Sequence, residues 1–454
     1  MVKSFRWLSV VALAILKSLV GCSGSQGPAP MASSAPADSQ WVVAWGASPQ
    51  NALSSSEDPG GHEQSFRFMI LPTIGATEER VHFSNYFGAT PITIGSARLA
   101  VALTAAATPA IDPTHDAALT FSGNTSVTLQ PNQEIDSDPV KVTYTFGQWL
   151  AVSMYVTGTY PPLTEHDSQV SPNFATPDGA GNTTTDSAGS SFTEAPTEWF
   201  LMTSVEAYGP YAGTVAFFGS SSVDGHESDY GSGNSYPIPN VLVPTQNNDR
   251  PTDWLARSLN AAGYSVGVLN AGLSGNPAGE DALTMGGQSV AGIDRFKHDV
   301  LEQPGIKAVI IYTGGVDLRI DCVSASAVEA SLTNIVAQAS AAGVRVILAT
   351  IPPAEYCTTD ALVPTATDPY NGDLNPGPEN PGSTQRRAVN AWIRTTGSQL
   401  PGVVAIADFD QAMAYPAHPD FLMPTFYTTD NFHPNGMGYG VQNSAIPLSS
   451  LLPQ

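Results

Sequence analysis

The sequence predicts two architectures in one chain: an all-β sandwich of jelly-roll character over residues 41–208, then a doubly wound α/β domain with a parallel sheet over 209–454. Three observations carry this. Before about Tyr208, apolar residues alternate with polar ones at a period of two. After it, apolar residues gather into continuous runs. Between those runs lie segments with helical spacing that end at glycine.

The first 40 residues read as an address and a tether. Lys3 and Arg6 precede an apolar stretch over 7–16, followed by Leu19-Val20-Gly21-Cys22. A basic start, a short apolar core and small residues before a cleavage point describe an export signal. Leu-Val-Gly-Cys resembles a bacterial lipobox, which would make Cys22 the lipidated first residue of the mature chain and anchor it to a membrane. Lys17 interrupts the apolar stretch, and the alternative is an ordinary secretory signal with a chance cysteine. Residues 23–40 are almost wholly Ser, Gly, Ala, Pro and Gln, a composition that buries no core and suits a flexible tether.

In the next region Val140, Val142, Tyr144 and Phe146 alternate with Lys141, Thr143 and Thr145. Leu150, Val152, Met154 and Val156 repeat the pattern after a turn at Gly147-Gln148. Shorter runs at 91–103 and 118–121 are bounded by Gly, Pro or Asp, and no long 3.6-period segment interrupts them. From 214 onward the apolar runs fall at 214–218, 265–269, 308–312, 344–350 and 403–407, as expected for strands buried on both faces of a parallel sheet. Residues 253–262 carry Trp254, Leu255 and Leu259 on one side and stop at Gly263. Residues 327–342 carry Val328, Leu332, Ile335 and Val336 and stop at Gly343, a residue that accepts the positive φ of a helix end.

Composition narrows the function. Charged residues are 13% of the 454, against roughly 25% in ordinary soluble domains. The 17 Lys and Arg face 40 Asp and Glu, a formal charge of −23, which argues against nucleic acid as a partner because neutralising phosphates takes clustered cations.

In open α/β sheets the reacting groups sit at the carboxyl ends of strands. The first strand ends in Gly219-Ser220-Ser221-Ser222-Val223-Asp224-Gly225 and the second in Asn270-Ala271-Gly272-Leu273-Ser274-Gly275-Asn276. The third ends in Thr313-Gly314-Gly315-Val316-Asp317, and near the C-terminus stands Asp430-Asn431-Phe432-His433. Together these resemble the four blocks of the SGNH/GDSL hydrolases, from about residue 214 to the end. The upstream motifs Trp45-Gly46-Ala47-Ser48-Pro49 and Ser84-Asn85-Tyr86-Phe87-Gly88 resemble the N-terminal β-domain of an extracellular branch of that family.

The resemblance implies a carboxylic-ester hydrolase with Ser221 as nucleophile, His433 as its base and Asp430 orienting the imidazole; no cofactor or metal is expected. The chemistry is coherent, since a serine hydroxyl is a poor nucleophile until an imidazole takes its proton. Ser222 is the runner-up for the nucleophile. The Gly-x-Ser-x-Gly elbow of the α/β-hydrolases is absent. The resemblance also implies an oxyanion hole from the N–H groups of Ser221 and Gly272 plus an Asn side chain, but Val316 stands where that Asn belongs. Asn276 or Thr313 is the expected substitute; otherwise the enzyme is slow, or the chain is a surface lipoprotein that binds carbohydrate.

Export would place Cys322 and Cys357 in an oxidising compartment, where they are expected to pair; two separate thiols is the alternative. His62, His82, His115, His166, His226, His298 and His418 show no metal-ligand spacing and read as ordinary polar residues, His226 being the one placed to line a pocket. Residues 368–382 form either a rim over the site or a surface loop.

Overall fold

The computed structural model describes residues 38–51, 60–104, 108–167, 172–228, 248–279, 289–320, 322–354, 381–426, 428 and 432–452. The expected signal, Cys22, Cys357 and Asp430 lie outside them, as does the proposed rim up to residue 380. Pro381 and Gly382 open the helix Pro381–Thr395. Among the described residues no helix is long and apolar enough to cross a membrane.

Two antiparallel sheets form the body of the first region, with a two-stranded ladder of Glu165–His166 and Trp199–Phe200 in addition. One has four strands, Gln40–Gly46 beside Met202–Gly209, then Glu79–Ser84 and Glu134–Asp136. The other centres on Gly61–Ile70, Leu150–Tyr160 and Ile92–Ala102. Val81, Phe83 and Val205 from the first sheet and Phe68, Leu99 and Met154 from the second are fully buried in one common core, which makes the pair a sandwich.

Two strand expectations need correction. Residues 118–121 are not a strand: the strand is Ile111–Ala118 and stops where that run was expected to begin. Residues 140–146 keep the expected alternation of burial, yet pair only through isolated bridges, Val140 with Glu79 and Tyr144 with Ala76. The partners are unequally spaced on the two sides. The Val142 N–H between them donates to the buried Glu79 carboxylate at 3.0 Å instead of to a neighbouring strand.

The second region holds a five-stranded parallel sheet. Val266–Gly272 lies at one edge, followed by Gly213–Gly219, Ile306–Tyr312, Arg345–Ala349 and Val403–Ala407. Helices Pro251–Ala261 and Ala325–Ala341 bury Leu255 and Leu259, and Val328, Leu332, Ile335 and Val336, against its two faces. The order places Gly213–Gly219 second and Val266–Gly272 outside it, so the chain reverses its winding beside the first strand, where open α/β sheets form their sites.

The two architectures meet after Gly209 with no gap in packing between them. Residues Ala37–Gln454 form one compact unit. The strand Gln40–Gly46 sends Val42 and Ala44 into the sandwich core and Val43 into the core of the parallel sheet. The Val43 carbonyl comes so close to Val266–Gly272 that a Cβ on Gly267 would lie 2.0 Å from its oxygen. Val43 N–H donates to Thr214 Oγ1 at 3.0 Å, and Ala47 bridges to Asn270 in parallel.

Candidate active site

The strand Gly213–Gly219 runs straight into a sharp turn. A Cβ on Gly219 would meet the Tyr312 carbonyl oxygen at 2.0 Å, so only glycine lets the chain pass there. Ser220 is extended and precedes a four-residue helix, Ser221–Asp224, closed by Gly225 at φ 99°. The first N–H groups of such a helix have no intrahelical acceptor, and those of Ser221 and Ser222 have none among the described residues.

The three serines differ in their partners. Ser221 Oγ lies 2.6 Å from His433 Nε2, both residues buried. The Ser222 hydroxyl is engaged with Tyr312, whose phenol is pushed up in pKa by burial, an effect that this hydrogen bond partly offsets. Proximity to the base therefore falls to Ser221. With the serine hydroxyl donating to Nε2, the neutral imidazole carries its proton on Nδ1.

His433 sits between two rings. His226 approaches at 4.7 Å with planes 64° apart, and Phe432 at 4.8 Å and 86°. Its carbonyl accepts from Thr428 Oγ1 at 2.8 Å. Asn435 then caps the helix Gly436–Ser444, taking the Gly438 N–H at 3.0 Å and giving its own amide to Thr425 O at 2.9 Å. Tyr439 from that helix donates to His226 O at 2.8 Å, so the helix after the base also fixes the residue after the nucleophile turn. Phe432 reaches across to the third block, where a Cβ on Gly315 would lie 3.4 Å from its ring and Arg319 stacks over it at 4.2 Å.

The expected oxyanion donors need correction. The Gly272 N–H is taken, donating to Asn270 Oδ1 at 2.9 Å at the end of its strand. Asn276 is spent on structure: its oxygen accepts from Arg295 Nε at 2.7 Å and its nitrogen donates to Val290 O at 2.8 Å. In the turn between them, Leu273 N–H donates to Gly219 O and Asn276 N–H to Leu273 O, while the Ser274 and Gly275 N–H groups have no acceptor among the described residues. Gly275 adopts φ 69°, which turns its peptide away from the path a strand would take. Val316 is buried, in the helix Gly315–Arg319.

A profile of the GDSL-like lipase/acylhydrolase family matches residues 217–441, from within the nucleophile strand to the helix after His433. The chain belongs to the SGNH/GDSL hydrolase superfamily. Among solved structures it is similar to a GDSL-like lipase of Bacteroides thetaiotaomicron at 18% identity, covering 52% of this chain and 87% of that one with a TM-score of 0.32. A member of the lipolytic G-D-S-L family from Veillonella parvula shares 15% identity, over 51% of this chain and 94% of the other, with a TM-score of 0.32. The aryl esterase of M. smegmatis shares 16%, over 53% and 100%, with a TM-score of 0.36. No curated protein sequence matches the chain.

Within the SGNH/GDSL domain two side chains missed from sequence brace the blocks. Arg295 is fully enclosed and donates to Gly219 O at 2.6 Å, Ala271 O at 3.0 Å and the Asn276 amide oxygen, with Asp299 as its counter-ion at 2.8 Å. Asp317 accepts from the N–H groups of Ala278 at 2.8 Å and Gly279 at 3.1 Å, tying the third block to the loop after the second. The sequence held a signal for Arg295: an Arg-x-x-x-Asp pair on a helix in a chain with few cations.

Two cysteine and histidine expectations also meet the structure. Cys322 is disulfide-bonded, and its expected partner Cys357 lies outside the described residues. Its sequence spacing marks His82 as an ordinary polar residue, yet it lies with Asp136 and Glu206 close enough to share a cation. Arg80 already bridges the two carboxylates, at 2.8 Å and 2.6 Å. Burial opposes a charge on His82, but hydrogen bonds to Asp136 and Glu134 prevail and lift it to about 9, and a protonated imidazole does not ligate a metal.

Proposed function

We propose that this chain is a serine esterase that hydrolyses extracellular carboxylic esters, carbohydrate esters among them, through an acyl-Ser221 intermediate. The observation that carries the reading is the 2.6 Å contact between Ser221 Oγ and His433 Nε2 beyond the carboxyl end of the strand Gly213–Gly219. His433 takes the hydroxyl proton as Ser221 Oγ attacks the ester carbonyl. The tetrahedral oxyanion collapses, the C–O bond to the leaving alcohol breaks, and the imidazolium returns its proton to that oxygen. Water, deprotonated by the same imidazole, then attacks the acyl-serine; the acyl–Oγ bond breaks, the acid leaves, and the imidazolium returns its proton to Ser221 Oγ. Asp430, three residues before the base, is the group proposed to receive the Nδ1 proton's hydrogen bond.

The oxyanion would be met by the Ser221 N–H and by the Ser274–Gly275 turn in place of Gly272. Export behind the N-terminal signal and anchoring through lipidated Cys22 are part of the proposal. The specific observation favouring a weak enzyme or a carbohydrate-binding lipoprotein is Val316, apolar and buried where a third donor is expected.

The test is hydrolysis of p-nitrophenyl acetate and butyrate by protein starting at Ser23, beside its Ser221→Ala variant. The variant is expected to lose about 10⁴-fold or more in kcat. Equal rates would hand the chain to the binding reading.

A further inference from the structure

One buried ion pair joins the sandwich to the nucleophile turn. His166 belongs to the short strand Glu165–His166, and Asp224 is the last residue of the helix that begins with Ser221. Their side chains are 3% and 2% exposed and meet at 3.0 Å, His166 Nε2 against Asp224 Oδ1. The other ring nitrogen, Nδ1, lies 2.8 Å from the Ser48 carbonyl oxygen. A carbonyl only accepts, so Nδ1 carries a proton. A carboxylate also only accepts, so Nε2 carries one as well, and the ring is an imidazolium.

The ring is held in place by aromatic packing. Trp199, paired with His166 across a two-residue ladder, lies 5.5 Å from it, and Trp45 packs edge-on to Trp199 at 5.1 Å. Asp224 has a second engagement: its Oδ2 accepts from Ser274 Oγ at 2.9 Å. Its backbone carbonyl accepts from Asn270 Nδ2 at 3.3 Å. One carboxylate thus links the Ser221 turn to the Ser274–Gly275 turn, and His166 reaches it from outside the hydrolase domain.

We propose that His166 is a positioning residue for the reaction: a cationic imidazole supplied by the β-sandwich that holds Asp224, and through it sets the nucleophile turn against the oxyanion turn. This rests on the serine-esterase reading above. The charged groups around the pair are Asp224 opposite, Asp167 beside His166 in sequence, and Arg295, which is within electrostatic reach of Asp224 and 3.4 Å from Ser48 Oγ. Burial opposes the charge on His166, but the attraction and hydrogen bond of Asp224 prevail and raise its pKa.

The experiment measures kcat and KM for p-nitrophenyl butyrate from pH 5 to 10 in the wild type, Ser221→Ala, His166→Ala, His166→Gln and Asp224→Asn, with the melting transition of each. His166→Ala is expected to lower kcat about 10²-fold, as misplacement of reacting groups does, with KM within about twofold. His166→Gln keeps one donor toward Asp224 and cannot titrate. It should recover most of kcat at pH 7 and lack the alkaline fall that the wild type shows as His166 loses its proton. Should His166→Ala not fold, the comparison passes to His166→Gln against Asp224→Asn, the latter expected to be the slower. Wild-type kcat in His166→Ala, or an unaltered alkaline limb in His166→Gln, overturns the inference while Ser221→Ala remains inactive. A wild type no faster than Ser221→Ala would instead defeat the esterase reading, and this inference with it.

Discussion

The hydroxyls of Ser221 and Ser222 have different partners, His433 for one and Tyr312 for the other. Ser222→Ala should therefore keep kcat within about fivefold of the wild type, since a hydrogen bond between neutral groups is worth only about 1 kcal/mol net. A loss as large as that of Ser221→Ala would reassign the nucleophile. Val316 permits a gain instead of a loss. One oxyanion donor is worth about 10²–10³ in turnover, so Val316→Asn is expected to raise kcat at least about tenfold. Steady-state kinetics showing no gain would mean that the hole is complete without a third donor. At this scale the sequence was partly legible. Ser221 and His433 sit in motifs whose spacing is tied to their chemistry. The second block has two glycines three residues apart, and only the Asn270 side chain, by claiming the Gly272 N–H, separates them. His166 was unreadable because its partner is on another element far along the chain.

Among the elements, the parallel strands were legible because burial on both faces leaves an unbroken apolar run; all five were found with their ends shifted by at most a few residues. The alternation over 140–146 misled because period two reports which face a side chain takes, not where the N–H goes. There the Glu79 carboxylate intercepts the ladder. The contact between Gln40–Gly46 and Val266–Gly272 was invisible, and it depends on one missing side chain. Gly267→Ala would drive a methyl into the Val43 carbonyl, an overpacking cost of about 1–3 kcal/mol or more. Calorimetry should find the melting temperature of Gly267→Ala lowered by several degrees, with the change at a position remote from Ser221. An unchanged melting temperature would mean that the two sheets are less tightly joined than their contacts indicate.

For the whole molecule the titrating groups set a direction with pH. Burial opposes a charge on His298, but hydrogen bonds to Asp299 and Glu134 lift it to about 10, alongside His82 at about 9. Both lie above the ordinary 6.5, so their contribution is complete below that value and is lost as pH rises through 9–10. Burial lifts Glu79 to about 8 from an ordinary 4.5, with the Val142 N–H pulling the other way. The unfolded chain gives up that proton first, so stability again declines from about 4.5 to 8. Glu134, Asp136 and Asp299 are instead held below the usual carboxylate range despite burial, through hydrogen bonds to His298 or His82, and their contribution disappears in acid. Stability should peak in mildly acidic solution and fall toward pH 10, a fall that His298→Gln makes shallower. A melting temperature that is highest at pH 8–9 would count against this. The excess of carboxylates, −23 in all, pushes in the same direction by self-repulsion at high pH.

The placement of Val43 has a consequence for how the chain reaches this state. The strand that carries it is the first element among the described residues, yet apart from Thr73 its hydrogen-bonded neighbours are as distant as Met202–Gly209 and Thr214, and its far face closes the core of the second sheet. Synthesis must run past Gly305, which packs against Trp41 and Val42, before the partners of that strand exist. Contacts so distant in sequence must close long loops before they stabilise anything, which slows folding. During that wait the apolar edge of Gln40–Gly46 stays unpaired, an open template for other chains. A chain of this design is open to mispairing until its first strand and that strand's distant partners are all present.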